Sequence, residues 1–184
     1  MPELYLKPAD EKLLPELMEI YNYYILNTTV TFHTKEIDIN GMREILFDGD
    51  PRFQSFVIMD GYELCGYCIL AHFSKREAYD TTAEVTIYLK HGYERRGIGT
   101  FAVKKLEEIA LQNGFHALIA IICEENKGSV GLFTSLGYKK CAHYREIGTK
   151  FGRLLDIVSF QKILTTYCCE IAIKNKKIVS HSRQ

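Results

Sequence analysis

Residues 81–114 read as strand, loop and helix in direct succession. "TTAEVTIYL" is rich in β-branched side chains that fit a pleated, half-buried surface. Ile98, Ala102, Val103, Leu106, Ile109 and Ala110 then recur at helical spacing, and the pattern stops near Gly114. Such a unit must place its strand in a sheet and lay its helix on one face. At the junction, "YERRGIGT" sets Gly97 and Gly99 behind Arg95 and Arg96. The first backbone N–H groups of a helix lack intrahelical partners, and the helix dipole is positive there. Glycine lets that backbone approach a ligand closely, so a phosphate is the fitting guest.

The remaining chain supplies a sheet for this unit. A strand is expected at 4–7 and a helix over about 10–26, with Asp10 as its cap and Pro15 near its first turn. A short helix should end near Gly49. "SFVIMDGYELCGYCIL" reads as a hairpin turning at Asp60-Gly61. "ALIAIIC" is a fully apolar, buried strand, followed by a helix over about 126–136 and strands near 138–145 and 154–161. The order gives a mixed α/β sheet with helices on its faces. With 184 residues, 47% of them hydrophobic, one domain with one core is expected. It covers 1–162; the basic, aperiodic stretch 163–184 reads as a frayed tail.

Charge and cysteines narrow the function. Lys plus Arg equals Asp plus Glu at 23 each, without the basic surplus of a nucleic-acid binder. No apolar run approaches the ~20 residues of a membrane span, and "MPELYLKPAD" lacks a signal-peptide pattern. The expectation is a cytoplasmic protein with neither nucleic-acid nor membrane partners. Cys65 and Cys68 form a C-x-x-C inside a strand pattern, where period two sends them to opposite faces. No second pair completes a zinc set, so they read as buried thiols and no metal is expected.

Three readings of the glycine loop stand on the residues alone. A P-loop fails, because no lysine follows Gly99. A dinucleotide fingerprint is spelled by Gly97 to Ala102, with Glu124 placed for a ribose. Against it, seven residues separate Leu89 from Gly97, and about 60 remain after Glu124. A plain glycine-started helix would leave Arg95 and Arg96 as surface charges.

"IYLKHGYERRGIGTFAVKKLEEIA" followed by "NKGSVGLFTSLGY" resembles the GNAT superfamily of acyl-CoA N-acyltransferases. "IYNYYILNTTVTFHT", "REAYDTTAEVTIYL" and "GTKFGRLLDIVSFQ" bring it closest to the phosphinothricin and methionine sulfoximine acetyltransferase subgroup. The match spans about residues 3–162. It implies a single-domain GNAT-like α/β fold: a mixed, mostly antiparallel twisted sheet flanked by helices. It also implies acetyl-CoA as co-substrate, a small-molecule amine as acceptor, and a homodimer. Arg95, Arg96, Gly97, Ile98, Gly99 and Thr100 would hold the pyrophosphate, with Asn126, Ser129 and Phe133 completing the site. The sequence departs from the family at Glu94, where Arg or Gln is usual, and at Phe133, where many relatives carry a Tyr or His able to protonate the leaving thiolate.

Acetyl transfer to an amine needs a base, an oxyanion donor and two substrates held together. Glu84 is the candidate base. It shares a strand face with Thr86 and Tyr88 if no bulge intervenes, and an apolar setting raises a carboxyl pKa. Read from the strand alone it is equally an edge glutamate facing solvent; the resemblance favours the base. Strand N–H groups from Ile87, Tyr88 and Leu89 would serve the oxyanion and the pantetheine amides. On the acceptor side, Arg76 can clamp a carboxylate. The resemblance places Phe32, Tyr79, Thr86 and Tyr88 along the amino-acid pocket; core packing is the other reading of Phe32. Direct transfer needs no nucleophile, so Cys123 reads as a buried thiol, and His72 and His91 as structural.

Overall fold

The computed structural model describes residues 3–164. All but the first two residues of the expected tail lie outside the described residues. Eleven elements follow in chain order: β1 (Leu4–Pro8), α1 (Leu14–Asn27), α2 (Ile39–Leu46), β2 (Ser55–Asp60), β3 (Glu63–His72), β4 (Thr82–Leu89), α3 (Ile98–Gln112), β5 (Ala117–Cys123), α4 (Lys127–Ser135), β6 (Lys139–Lys150) and β7 (Arg153–Ile163). The strands form one sheet in the order β1-β2-β3-β4-β5-β7-β6. Every neighbouring pair is antiparallel except β4 and β5. This is the expected mixed, mostly antiparallel sheet.

Helices cover both faces. On one, Ala102, Val103 and Leu106 of α3 and Phe133 of α4 join Leu70, Val85, Leu118 and Ala120. On the other, Leu17, Tyr21 and Ile25 of α1 and Met42 of α2 join Val57, Tyr67, Ile69 and Tyr88. Alternation along β4 therefore sends Val85 toward α3, and Glu84, Thr86 and Tyr88 toward α1.

Local chemistry adjusts several boundaries. Asp10 does cap, but it caps a short 3-10 turn at Glu11–Leu13; the α-helix begins at Leu14 with Pro15 in its first turn. Helix α2 stops at Leu46. The hairpin turns at Gly61-Tyr62, one residue later than expected, because Asp60 still pairs with Glu63. Cys65 and Cys68 do not face opposite ways. Register shifts at Ile58/Met59, the extra residue opposite is Cys65, and both thiols enter the core on the α3 side. Strands β6 and β7 run longer than their apolar patterns, meeting at Phe151-Gly152 with both residues at positive φ.

The feature that positions the site is how short the parallel ladder is. Thr82, Ala83 and Glu84 pair with Ala117, Leu118 and Ile119, and there the pairing ends. β4 continues on β3 to Leu89, while β5 continues on β7 to Cys123. The two halves of the sheet open like a V with Glu84 at its vertex.

Candidate active site

A cleft of ≈ 530 Å³ fills the V. Its walls include Thr86, Ile87, Tyr88 and Leu89 of β4, and Ile121 and Ile122 of β5. Ile121 is 42% exposed in a strand whose sequence reads as wholly buried, because β4 has peeled away beside it. The mouth is lined by Arg95, Gly97, Gly99 and Thr100 before and within the start of α3, and by Asn126 and Ser129 at the start of α4. Phe133 closes the α4 side, its ring edge-on to Tyr138.

Splitting the sheet frees backbone groups. Lys90 N–H donates to Cys65 O at 2.8 Å, so alternation turns Leu89 and Ile87 the other way, into the gap. Tyr88 is correspondingly turned to β3, and only its side chain is available. One group at the gap is already used: Tyr24 Oη donates to Leu89 O at 2.8 Å. Burial, with the Glu94 carboxylate nearby, pushes the Tyr24 phenol up to about 12.

The α3 end has the backbone features that suit an anion. Gly97 sits at φ 80°, and Arg95 adopts φ 60°, a conformation rare outside glycine. No side chain caps the helix, which leaves its first N–H groups facing the cleft mouth. Gly99 also lets α4 approach, since a β-carbon there would stand 3.1 Å from Leu132 Cδ2. The Glu94 carboxylate folds back to accept from Gly92 N–H at 2.9 Å while still lining the cleft. Arg96 and Ile98 lie outside the lining. Arg96 rests over the Tyr93 ring at 4.6 Å, and Ile98 is buried in the core. Asn126 caps α4, accepting from Ser129 N–H at 3.1 Å and donating to Ser129 Oγ at 2.9 Å.

Glu84 stands at the vertex, next in sequence to Val85 of the cleft wall and just outside the lining itself. Pairing between β3 and β4 is unbroken, so it shares the face of Thr86 and Tyr88 as expected. Its carboxyl is half-buried, and among the described residues no hydrogen bond to it occurs. Desolvation raises it to about 7. A carboxyl poised there can take a proton from an amine near neutral pH.

The other expected residues are placed unevenly. Tyr88 packs against Tyr21, Tyr24 and Tyr67 at ring separations of 5.0–5.3 Å. Phe32 lies against Gly148 of β6, outside the cleft lining. Arg76 and Tyr79 are exposed at the turn before β4, on the vertex side, and Tyr79 meets Phe73 edge-on. His72 sits opposite Ala83 but pairs with Asp48 under the Phe53 ring, on the sheet face away from Glu84, and His91 pairs with Tyr23. Cys123 is a buried thiol. Tyr24 and Val30 line the cleft unforeseen; a helix-face residue and a loop valine give no sign of this without the topology.

Comparison with known proteins identifies the family and the fold. The sequence pattern described as the acetyltransferase (GNAT) family matches residues 17–138. A phosphinothricin N-acetyltransferase of Streptomyces coelicolor is 30% identical over 88% of this chain and 97% of its own. An L-methionine sulfoximine/L-methionine sulfone acetyltransferase of Pseudomonas paraeruginosa is 30% identical over 80% of this chain and 87% of its own. Among solved structures, a GNAT superfamily phosphinothricin acetyltransferase from Sinorhizobium meliloti, in complex with AcCoA, superposes with a TM-score of 0.83. It is 26% identical and covers 88% of each chain.

Proposed function

The chain belongs to the acetyltransferase (GNAT) family, and from that premise we propose that it transfers acetyl from acetyl-CoA directly to the primary amine of a small amino-acid-like acceptor. The acceptor class is that of phosphinothricin, methionine sulfoximine or methionine sulfone, the compounds in its relatives' names. The observation that carries the reading is the end of the β4–β5 ladder at Glu84, which puts a half-desolvated carboxyl at the vertex of a cleft with free strand donors.

The residues fit acetyl-CoA. The uncapped start of α3, with Arg95 beside it, suits the pyrophosphate. The gap-facing groups of Ile87 and Leu89 suit an extended amide-bearing arm, as an added strand would. Acetyl-CoA supplies an activated thioester. Glu84 takes the proton that the amine must lose as its nitrogen bonds the acetyl carbon. The Ile87 or Leu89 N–H faces the side where negative charge gathers on the acetyl oxygen. Phe133 offers no proton to the departing sulfur. A thiol of ordinary acidity, with a pKa of about 8.5, leaves as thiolate and is protonated by water. We further read the enzyme as cytoplasmic, where acetyl-CoA is available, and as a homodimer. The exposed Tyr144, Ile147, Phe151 and Leu154 on the β6–β7 arm support the dimer.

The test is acetyl-CoA turnover followed by thiol release, with methionine sulfone, phosphinothricin and a panel of simple amines. Turnover of the amino acids supports the reading. Tight acetyl-CoA binding without turnover of any amine would make the chain a binding module.

A further inference from the structure

Residues 28–33 leave the end of α1 and cross the open V on the face that carries Glu84. Three contacts fasten them to the β5–β7 half. Thr29 Oγ1 donates to Glu125 Oε1 at 3.1 Å, and Arg153 grips both Glu125 oxygens at 3.0 Å. The Thr31 carbonyl accepts from Lys150 Nζ at 2.8 Å. The Phe32 ring lies so close to Gly148 that a β-carbon there would overlap it.

Lys150 is unusual among these contacts. It is 3% exposed. Its ammonium has backbone carbonyls as partners, Thr31 O and, at 3.5 Å, Tyr24 O; no carboxylate pairs with it among the described residues. Burial lowers its pKa from the usual lysine range, an effect opposed by the nearby Cys123. Burying a cation without a counter-charge is unfavourable. A methionine would fill the same space without that penalty. What lysine adds is a hydrogen-bonded tie between β6, the last turn of α1 and the crossing segment.

We infer that Lys150 is a positioning residue for the acceptor. Its ammonium and the Gly148–Phe32 contact together hold the 28–33 segment over the V, which sets the space beside Glu84 that the amine's side chain enters. The inference rests on the acetyl-transfer reading for its kinetic consequence, but its structural half stands apart. The segment contributes Val30 to the cleft wall and Thr31 to a hydroxyl pair with Tyr21 at 2.8 Å, next to Tyr88. Loosening it therefore disturbs the acceptor side and leaves the start of α3, where the phosphates belong, untouched.

Two variants test this. Lys150→Met removes the tie and keeps the bulk; Gly148→Ala displaces Phe32 and keeps the tie. Each should raise the KM for methionine sulfone at least tenfold. Each should leave the Kd for CoA, measured calorimetrically, within twofold. Hydrogen exchange of residues 28–33 should rise in Lys150→Met while β4 and α3 stay protected. Should Lys150→Met not fold, Gly148→Ala with the same readings decides. An unchanged acceptor KM overturns the inference, as do parallel losses in CoA affinity and acceptor KM, which mark a general structural role. If the wild type acetylates no amine, the transfer reading fails by itself, and the exchange measurement still judges the tie: unchanged exchange overturns it.

Discussion

Glu84 pairs with Ile119, and no residue of β4 after it pairs with β5. One carboxylate thus sits where a closed sheet becomes an open one, half-buried and next in sequence to the first β4 residue of the cleft wall.

That position predicts a stability signature. The folded carboxyl titrates near 7, above its ordinary 4.5, so the native state keeps the proton longer than the unfolded chain. Stability therefore falls as pH rises from about 4.5 to 7, and the full penalty persists above that. A shift of this size is on the order of 3 kcal/mol. Urea titrations of wild type and Glu84→Gln at pH 5 and pH 8 isolate the group by difference. Glu84→Gln should gain relative stability between the two, by about 1–3 kcal/mol. A pH-independent difference would place Glu84 in water.

At the start of α3, stability and binding should part company. Thr100 lies in the first turn and lines the cleft. Thr100→Glu puts a negative charge where the helix dipole welcomes it, worth about 0.3–1 kcal/mol. The same charge repels a pyrophosphate. Thermal melting should hold or improve while calorimetry shows CoA affinity falling well over tenfold. Unchanged affinity would move the phosphates elsewhere. Gly99→Asp is the less clean probe, because its β-carbon also crowds Leu132.

Arg76 gives a graded prediction. It is exposed and has no ion pair among the described residues, so a carboxylate it reads stays partly solvated. Methionine sulfone should exceed its decarboxylated amine in kcat/KM by about tenfold, a wet-site preference of ~1.4 kcal/mol. Arg76→Ala should flatten that ratio. Equal use of both amines by the wild type would make Arg76 a surface charge.

Phe133→Ala should act as a core mutation. The ring is buried and meets Tyr138 at 4.9 Å. A loss of about 3–5 kcal/mol is expected from the cavity, read by urea titration. With no proton to give, the side chain should leave kcat within about threefold at a temperature where both proteins are folded. A hundredfold fall in kcat would assign Phe133 a direct role in transfer.

The strand–loop–helix unit was legible because β-branched alternation, glycine and helical spacing are local signals. Features that depend on strand pairing and topology were less so. Cys65 and Cys68 share a face through a bulge that period two does not show. Ile121 reads as core, yet it faces the cleft because a strand two elements earlier departs. Lys150 and Gly148 carry no sign in sequence of the segment they hold, more than a hundred residues earlier, because only the topology brings them together. The sequence does not separate Arg95 from Arg96 as phosphate ligands; in the structure Arg95 lines the cleft and Arg96 rests over the Tyr93 ring.

The proposed transfer chemistry assigns Glu84 as the base, and the pH dependence of turnover tests that role most directly. With methionine sulfone and saturating acetyl-CoA, kcat/KM of the wild type should rise with an apparent pKa near 7, as the carboxyl ionises. Glu84→Gln should lose that limb and about 10²–10⁴ in rate, with CoA affinity retained. A Glu84→Gln enzyme that keeps the wild-type rate and the same ascending limb would contradict the assignment, and with it the reading of the V as the place where the amine gives up its proton.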